Sequence, residues 1–261
     1  MTLPNIISKY IARKDFQTDS IGKSDARVYV FEDIVLKMQP ISEESENELQ
    51  MMRWLNGKIS VPSIIEHICE SGYSYLLMTK CTGQMSCAEQ YMKNPIEQAE
   101  LLAGALHQLW NIPTEDCPCN WSIEKRLQQA SKNVISGNVN VADAQPNTFG
   151  SNGFKSPEHL LNWLIDNKPT EAQVVSHGDF CLPNIFVNDT GLTGLIDLGK
   201  AGIADKWQDI AICYRSLLNN YSGVYDGIKY AGFQDRMLFD ALEMEPDWDR
   251  IRYYILLDEL F

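Results

Sequence analysis

Short apolar runs separated by polar turns fill the first 80 residues. Two pairs of runs rich in β-branched and aromatic residues are typical of β-hairpins: Arg27–Phe31 with Ile34–Met38, and Ser63–Cys69 with Tyr73–Thr79. The stretch between the two pairs has helical spacing and ends at Gly57. Ser45 and Glu48 stand three residues apart in it and predict a capping box at the start of one helix.

The spacing of apolar residues changes to a helical one after residue 81. Helices are predicted to start near Asn94-Pro95, Ser122, Ser156-Pro157, Lys206 and Asp247, and two short strands, Ile185–Val187 and Leu192–Ile196, interrupt them. We therefore expect an α+β fold. A small β-rich N-terminal lobe with one main helix would span residues 1–80, and a larger, mostly helical lobe would span residues 81–261. The hinge between the two would lie at about residues 79–83.

The segment His177–Asn184 reads HGDFCLPN and has the form H-x-D-x₄-N. Asp197 follows 13 residues after Asn184 and opens a D-x-G sequence. Either aspartate alone could simply cap a turn. The complete order, with a strand, a turn and a strand between the two parts, is a specific signal for phosphoryl transfer from a nucleotide.

Phosphoryl transfer needs few protein groups, and the sequence offers a candidate for each. Asp179 can orient an acceptor hydroxyl and accept its proton. Asn184 and Asp197 can hold Mg²⁺, which takes few protein ligands and prefers oxygen. Lys37 ends the apolar run 34–36 and can neutralise phosphate oxygens.

A carboxylate on the predicted helix of the small lobe is the expected partner of Lys37. Glu48 shares a helical face with the apolar Met52 and Leu55. Glu44 and Glu46 are the rivals to Glu48. Glu44 lies on the same face as Glu48, so periodicity alone does not choose the partner of Lys37. The segment 21–27, with Ser24 at its centre, is expected to lie over the phosphates, although it has a single glycine and no Walker A pattern.

These motifs, in this order, resemble the eukaryotic-like kinase superfamily, and more closely the aminoglycoside 3′-phosphotransferases, the kanamycin and neomycin kinases. The stretches that carry the resemblance are Met51–Leu55, Val61-Pro62, Asp116–Pro118, Val175–Asp179, Asn184–Val187, Ile196–Gly199, Ala204–Ala211 and Tyr254–Phe261. The resemblance covers nearly the whole chain and implies a two-lobed protein-kinase-like fold. It also implies transfer of phosphate from ATP, or from GTP, to the 3′-hydroxyl of an aminoglycoside with Mg²⁺ as cofactor.

The resemblance implies a role for each candidate residue. Asp179 would be the catalytic base, and Asn184 and Asp197 the metal ligands. Lys37 would bind phosphates and would be held by Glu48 rather than by Glu44. Backbone groups of Thr79 and Cys81 would bind adenine. Glu259 and the terminal carboxylate of Phe261 would bind the ammonium groups of the drug.

Two positions depart from the family pattern. Many members have an aromatic residue two positions before the lysine, where it stacks on the purine, and this chain has Val35 there. Some members have an acid three residues after the base, where this chain has Leu182. These departures bear on nucleotide choice and drug range rather than on the general activity.

Charge and cysteine content narrow the possible partners. The formal net charge is −13, of which residues 81–261 hold −11. Such a chain is not expected to bind nucleic acid and would attract cations, in agreement with an aminoglycoside substrate. Seven cysteines without zinc-type spacing indicate a reducing cytoplasm. No signal peptide, membrane span or obligate protein partner is evident from the sequence.

Two alternatives to an aminoglycoside kinase stay open at this point. One is a kinase of another small amine or sugar, similar to choline or ketosamine kinases. The other is a catalytically inactive module that binds nucleotides or cations, which the intact set of candidate residues disfavours. A protein kinase is disfavoured because only seven residues separate Asp197 from Asp205, too few for a peptide-docking segment.

Overall fold

A computed structural model describes residues 3–12, 14–18 and 26–261. Its N-terminal part is a five-stranded antiparallel sheet in the order β1-β2-β3-β5-β4. The strands are β1 (Gln17–Thr18), β2 (Arg27–Val30), β3 (Ile34–Pro40), β4 (Ile64–Glu70) and β5 (Tyr73–Thr79). Both predicted hairpins are confirmed, and β3 lies at the centre of the sheet. Ser24 and the rest of segment 19–25 lie outside the described residues.

Both faces of this sheet are covered, and the alternation along β3 decides what each face meets. Leu36 and Met38 point into a small core that Ile7 of α1 (Asn5–Ile11) completes. Val35 points to the opposite face, which belongs to the main core of the molecule. Lys37 shares the parity of Val35 and so lies on the face toward the rest of the chain.

The main helix of the N-terminal part is α2 (Glu43–Leu55), and its start corrects the predicted capping box. Ser42 is the N-cap, and its hydroxyl accepts a hydrogen bond from the N–H of Ser45, the third helical residue. In return, the Ser45 hydroxyl accepts from the Ser42 N–H. Glu48 therefore lies inside the helix and is free to pair with Lys37. Gly57 adopts φ +80° just beyond the last turn, the left-handed conformation that ends a helix at low cost.

The C-terminal part is mostly helical, as expected. Its helices are α3 (Glu89–Met92), α4 (Pro95–Trp110), α5 (Ile123–Ile135), α6 (Pro157–Asp166), α7 (Lys206–Tyr221), α8 (Met237–Ala241) and α9 (Trp248–Asp258). The central helix α7 packs against α9, and the apolar residues of both lie in one continuous core with those of α4 to α6. Within the described ranges, no helix combines the length and the apolar character needed to cross a membrane.

Two small sheets place the motif residues between the two parts. The strands β6 (Gln84–Met85), β8 (Ile185–Asn188) and β9 (Gly191–Leu195) form one sheet, and β7 (Gln173–Ser176) pairs with β10 (Gly202–Asp205) in the other. The H-x-D-x₄-N segment runs from the end of β7 to the start of β8. Asp197 follows β9, so the hairpin β8–β9 brings the two motif segments together.

Candidate active site

A buried ion cluster joins three distant parts of the chain. Lys37 Nζ on β3 lies 2.9 Å from both carboxylate oxygens of Glu48 on α2 and 2.9 Å from Oδ1 of Asp197. Lys37 and Glu48 are almost fully buried, whereas 48% of the Asp197 side chain is exposed. Gln39 Nε2 also donates to Glu48, at 3.0 Å. The helix carboxylate that periodicity left open is thus Glu48 in the structure.

The charges in this cluster stabilise one another. Burial by itself lowers the pKa of Lys37, but the adjacent Glu48 and Asp197 carboxylates outweigh it and raise that pKa above its ordinary value. Burial by itself raises the pKa of Asp197, but the attraction and hydrogen bond of Lys37 hold it below its usual range. The ammonium and the Asp197 carboxylate are therefore both charged at neutral pH.

Asp179 and Asn184 form the second half of the site. Asn184 Nδ2 donates to the backbone oxygen of Asp179 at 3.1 Å and to its Oδ2 at 3.3 Å. Asp179 is half-buried at the end of the loop that follows β7, and Asn184 sits in a short 3₁₀ turn before β8. The amide therefore fixes the orientation of the Asp179 carboxylate.

His177 ties the loop of Asp179 to the segment of Asp197. Its Nδ1 accepts a hydrogen bond from the Asp179 N–H at 3.3 Å, and its Nε2 lies 2.9 Å from the Ile196 carbonyl oxygen. Both ring nitrogens are engaged with backbone, and the side chain is fully buried. His177 is therefore placed as a structural link between the two motif segments.

Asp209 on α7 holds the loop of Asp179 through hydrogen bonds. Its carboxylate accepts hydrogen bonds from the Gly178 N–H and the Ser176 hydroxyl, both at 2.9 Å, and from Trp110 Nε1 at 3.3 Å. Burial raises the pKa of Asp209, although these donors oppose the rise. Gly178 adopts φ +81°, and a Cβ there would lie 2.0 Å from the Lys200 carbonyl oxygen, so this position requires glycine.

The oxygen atoms of Asn184 and Asp197 fit a divalent cation such as Mg²⁺. Within the described part of the chain, the amide oxygen of Asn184 accepts no hydrogen bond, and Lys37 engages only one of the two Asp197 oxygens. Asp197 adopts the left-handed conformation, with φ +60° and ψ 58°, which is strained for a residue with a side chain. Backbone strain of this kind is common where a side chain must be aimed at a ligand.

The two residues expected to face adenine at the hinge differ in whether their backbone N–H is already hydrogen-bonded. The Thr79 N–H already donates to the Ser63 carbonyl oxygen at 2.9 Å, which leaves its own carbonyl as the group to consider. The Cys81 N–H donates to no carbonyl oxygen of the described residues. The Cys81 side chain packs closely against Gly194 of β9, where a Cβ would lie 2.3 Å from the sulfur.

The C-terminal residues are held by a group of cations that the sequence analysis did not identify. The Asp258 carboxylate accepts from Arg215 at 2.5 Å and from Arg126 at 3.4 Å. Burial raises the pKa of Asp258, but Arg215, Lys200 and Arg126 outweigh it and lower that pKa to about 2. No periodicity marks Arg126 as buried, because an arginine on an amphipathic helix normally reaches solvent.

Glu259 and Phe261, the two residues expected to bind substrate, lie beside this group. Glu259 Oε2 accepts from the Gln145 N–H at 3.1 Å, and its other oxygen lies 3.9 Å from Arg215. Burial raises the pKa of Glu259. The Phe261 ring lies 4.7 Å from the Arg126 guanidinium. Glu259 is therefore already engaged with the protein, and its side chain is only 7% exposed.

Known phosphotransferases match this chain over nearly its whole length. Residues 15–254 match the model of the phosphotransferase enzyme family. The aminoglycoside 3′-phosphotransferase of Enterococcus faecalis is 37% identical over 99% of this chain and 97% of its own length. The chain belongs to the aminoglycoside 3′-phosphotransferase family. The predicted family resemblance is thus confirmed.

Solved structures confirm that this chain has a kinase-like fold. A crystal structure of an aminoglycoside 3′-phosphotransferase of type VIII superposes with a TM-score of 0.82, at 24% identity, over 98% of this chain and 97% of that one. An aminoglycoside phosphotransferase from Streptomyces rimosus, in complex with ADP and streptomycin, superposes with a TM-score of 0.77, at 22% identity, over 97% and 95%. At these identities the superpositions establish the fold.

Proposed function

We propose that this chain transfers the γ-phosphoryl group of ATP to the 3′-hydroxyl of kanamycin- and neomycin-like aminoglycosides. The observation that carries the proposal is the bridge from Lys37 to both Glu48 and Asp197, which assembles phosphate-binding and metal-binding groups at one point. Membership of the aminoglycoside 3′-phosphotransferase family supplies the substrate class. The acidic C-terminal part of the chain suits a cationic acceptor.

Asp179 serves as the base in this proposal. The acceptor hydroxyl donates a hydrogen bond to the Asp179 carboxylate, which takes the proton as the new O–P bond forms and the bond to the β-phosphate oxygen breaks. Asn184 holds that carboxylate through its amide hydrogens, and His177 and Asp209 fix the backbone around it. Lys37 neutralises oxygens of the nucleotide phosphates.

Asn184 and Asp197 would hold the magnesium ion. Their unpaired oxygens are the ligand type that Mg²⁺ prefers, and two protein ligands are enough where phosphate oxygens supply the others. When bound, Mg²⁺ neutralises phosphate charge and fixes the orientation of the nucleotide.

Substrate placement follows the two parts of the chain. The nucleotide would bind to the N-terminal part, residues 1–80, with Ser24 as one of its binding residues. At the hinge, the Thr79 carbonyl and the Cys81 N–H would face adenine. The aminoglycoside would bind in residues 81–261, beside Glu259 and the carboxylate of Phe261. Since Arg215 lies near Glu259, drug ammonium groups must compete with an internal cation there.

Nucleotide turnover with and without kanamycin tests the proposal. ADP release should depend on kanamycin and should not rise when choline or a ketosamine replaces it. Release stimulated by choline or a ketosamine alone would assign the chain to another small-molecule kinase. ADP binding without turnover for any acceptor would identify an inactive nucleotide-binding module instead.

A further inference from the structure

Asn47, a buried amide on α2, contacts the segment that follows Asp197. Its Nδ2 lies 2.8 Å from the Ala201 carbonyl oxygen, 2.9 Å from that of Gly199 and 3.3 Å from that of Leu198. Asn47 directly precedes Glu48 in the chain and is only 9% exposed. The Asn47 side chain therefore contacts three backbone carbonyl oxygens within residues 198–201, directly after Asp197.

The environment of this amide group selects asparagine. A side-chain amide has two N–H donors, so the three carbonyl oxygens share them, with Leu198 the most distant. Aspartate has the same shape but offers only acceptors, and its charge would face the negative ends of the carbonyl dipoles. Leucine has a similar size and offers no donor.

The backbone packing at Gly199 shows that α2 and this segment are in close contact. A Cβ at position 199 would lie 3.2 Å from the Glu44 carbonyl oxygen and 3.3 Å from the Glu44 Cβ. Those distances are tighter than most real Cβ contacts, so a side chain at Gly199 would push the segment away from α2. Asn47 hydrogen bonds and glycine packing thus act together at one interface.

We propose that Asn47 is a positioning residue that holds the Asp197 segment on α2 and so fixes the metal-binding carboxylate. The inference rests on the proposed function, because it takes Asp197 as a ligand of the Mg²⁺–nucleotide complex. Glu48 reaches Asp197 through Lys37, and its neighbour Asn47 holds the backbone that follows Asp197. The left-handed conformation of Asp197 is therefore held by Lys37 at its side chain and by Asn47 at the backbone that follows it.

Titration of the purified chain with ADP, at low and at saturating Mg²⁺, tests this role. Asn47→Asp and Asn47→Leu should weaken Mg²⁺-dependent ADP binding by about tenfold, since losing a group that orients a metal ligand typically costs about 10- to 100-fold in affinity. ADP binding without Mg²⁺ should stay within about twofold of the parent. High Mg²⁺ should restore the affinity of Asn47→Leu for ADP.

Gln50→Glu is the matched control, because it converts an exposed amide of the same helix to a carboxylate. It should leave both titrations unchanged. Gly199→Ala disturbs the same interface while leaving the Asn47 side chain itself unchanged, and it should reproduce the magnesium effect. This variant covers the case in which an Asn47 variant does not fold. Melting temperatures are recorded for each variant, so that loss of stability is separated from loss of the magnesium effect.

Mg²⁺-dependent ADP affinity within twofold of the parent, in the folded Asn47 variants and in Gly199→Ala, would overturn the proposal. Equal weakening with and without Mg²⁺ would also overturn it, because a merely structural residue would act that way. The titrations need no acceptor. Absence of kanamycin turnover in the parent would therefore count against the proposed function alone, and the titrations would still decide the role of Asn47.

Discussion

At the scale of single residues, the proposed phosphoryl transfer depends on the carboxylate of Asp179. Asp179→Asn keeps the size of the side chain and removes its capacity to accept a proton. Loss of a general base typically slows turnover by about 10²- to 10⁴-fold. We therefore expect kcat with kanamycin to fall by that amount, while the dissociation constants of ADP and kanamycin change little. Steady-state kinetics and calorimetry on the purified variant give both values.

Asp189→Asn is the matched control for this substitution, since Asp189 is an exposed acid in the turn between β8 and β9. It should leave kcat within about twofold of the parent, as surface substitutions usually have small effects. Near-parental kcat in Asp179→Asn would contradict its assignment as the base.

Val35 is the residue at which an aromatic substitution should raise the affinity for ATP. It lies half-buried on β3 opposite Met78 of β5, on the face that meets the rest of the chain. An aromatic stack contributes about 0.5–1.5 kcal/mol beyond area burial, which corresponds to a roughly two- to tenfold change in affinity. Val35→Tyr should tighten ATP binding to that extent, and Val35→Leu, which adds apolar area without a ring, should not. Equal affinities in all three proteins would show that residue 35 does not face the base.

At the scale of secondary-structure elements, the residues that end α9 and follow it are expected to contribute both to packing and to substrate binding. Leu260 is fully buried, and its carbonyl oxygen accepts from Asn133 of α5 at 2.9 Å. Deletion of Leu260 and Phe261 should therefore lower the melting temperature as well as raise the KM for kanamycin. The deletion alone cannot separate the two effects.

Glu259→Gln separates them, because the amide keeps an acceptor for the Gln145 N–H and removes the charge. Charge-assisted hydrogen bonds contribute about 1.5–3 kcal/mol, so the KM for kanamycin should rise about tenfold or more, while the KM for ATP stays constant. The effect should shrink at high salt. Glu245→Gln, at an exposed glutamate paired with Arg236, is the control and should change neither constant. An unchanged KM for kanamycin in Glu259→Gln would exclude this residue from the drug site.

The elements differ in how far the sequence could predict them. The two N-terminal hairpins follow from runs rich in β-branched and aromatic residues on either side of a polar turn, and Ser71 and Gly72 both adopt positive φ in the turn that joins one pair. The pair β7–β10 was not predicted, because its four-residue strands lie far apart in the chain and show no alternation. The capping box was placed one turn too late, because Glu48 pairs with Lys37 and Ser45 serves as the partner of the Ser42 cap.

The candidate site likewise has residues that the sequence predicts and residues that it does not. The order of Asp179, Asn184 and Asp197 identified one half of it, and a strand-borne lysine identified the other. Asn47 was not predicted, since a polar residue on a helix usually marks the exposed face, and only its three-dimensional neighbours give it partners. The cations around Asp258 were missed for the same reason.

At the scale of the whole molecule, the carboxylate of Asp258 joins α5, α7 and α9 through Arg126 and Arg215. Removing one partner of a buried ion pair typically costs about 3–5 kcal/mol. We expect Asp258→Asn to lower the free energy of unfolding by about 3 kcal/mol at neutral pH. Asp240→Asn, at an exposed acid of α8 beside Arg236, should change it by less than about 0.5 kcal/mol.

The pH dependence of that difference follows from the pKa of Asp258. The folded pKa of about 2 lies below the ordinary value of 3.8, so the stabilisation is complete above about pH 5 and is lost as the pH falls toward 2. Roughly half of the contribution that comes from the pKa shift should be gone at pH 3. Urea unfolding of the parent and Asp258→Asn from pH 3 to pH 7 measures the difference. A difference that stays constant over this range would contradict the ion-pair account.

The position of the transferred phosphate tests the central claim of a 3′-phosphotransferase most directly. Kanamycin incubated with ATP, Mg²⁺ and the purified chain should give one product, and two-dimensional ¹H–³¹P NMR should correlate its phosphorus with the proton on carbon 3′. An analogue without the 3′-hydroxyl should bind and remain unphosphorylated. A phosphorus correlation to any other ring position, or phosphorylation of the 3′-deoxy analogue, would contradict the account.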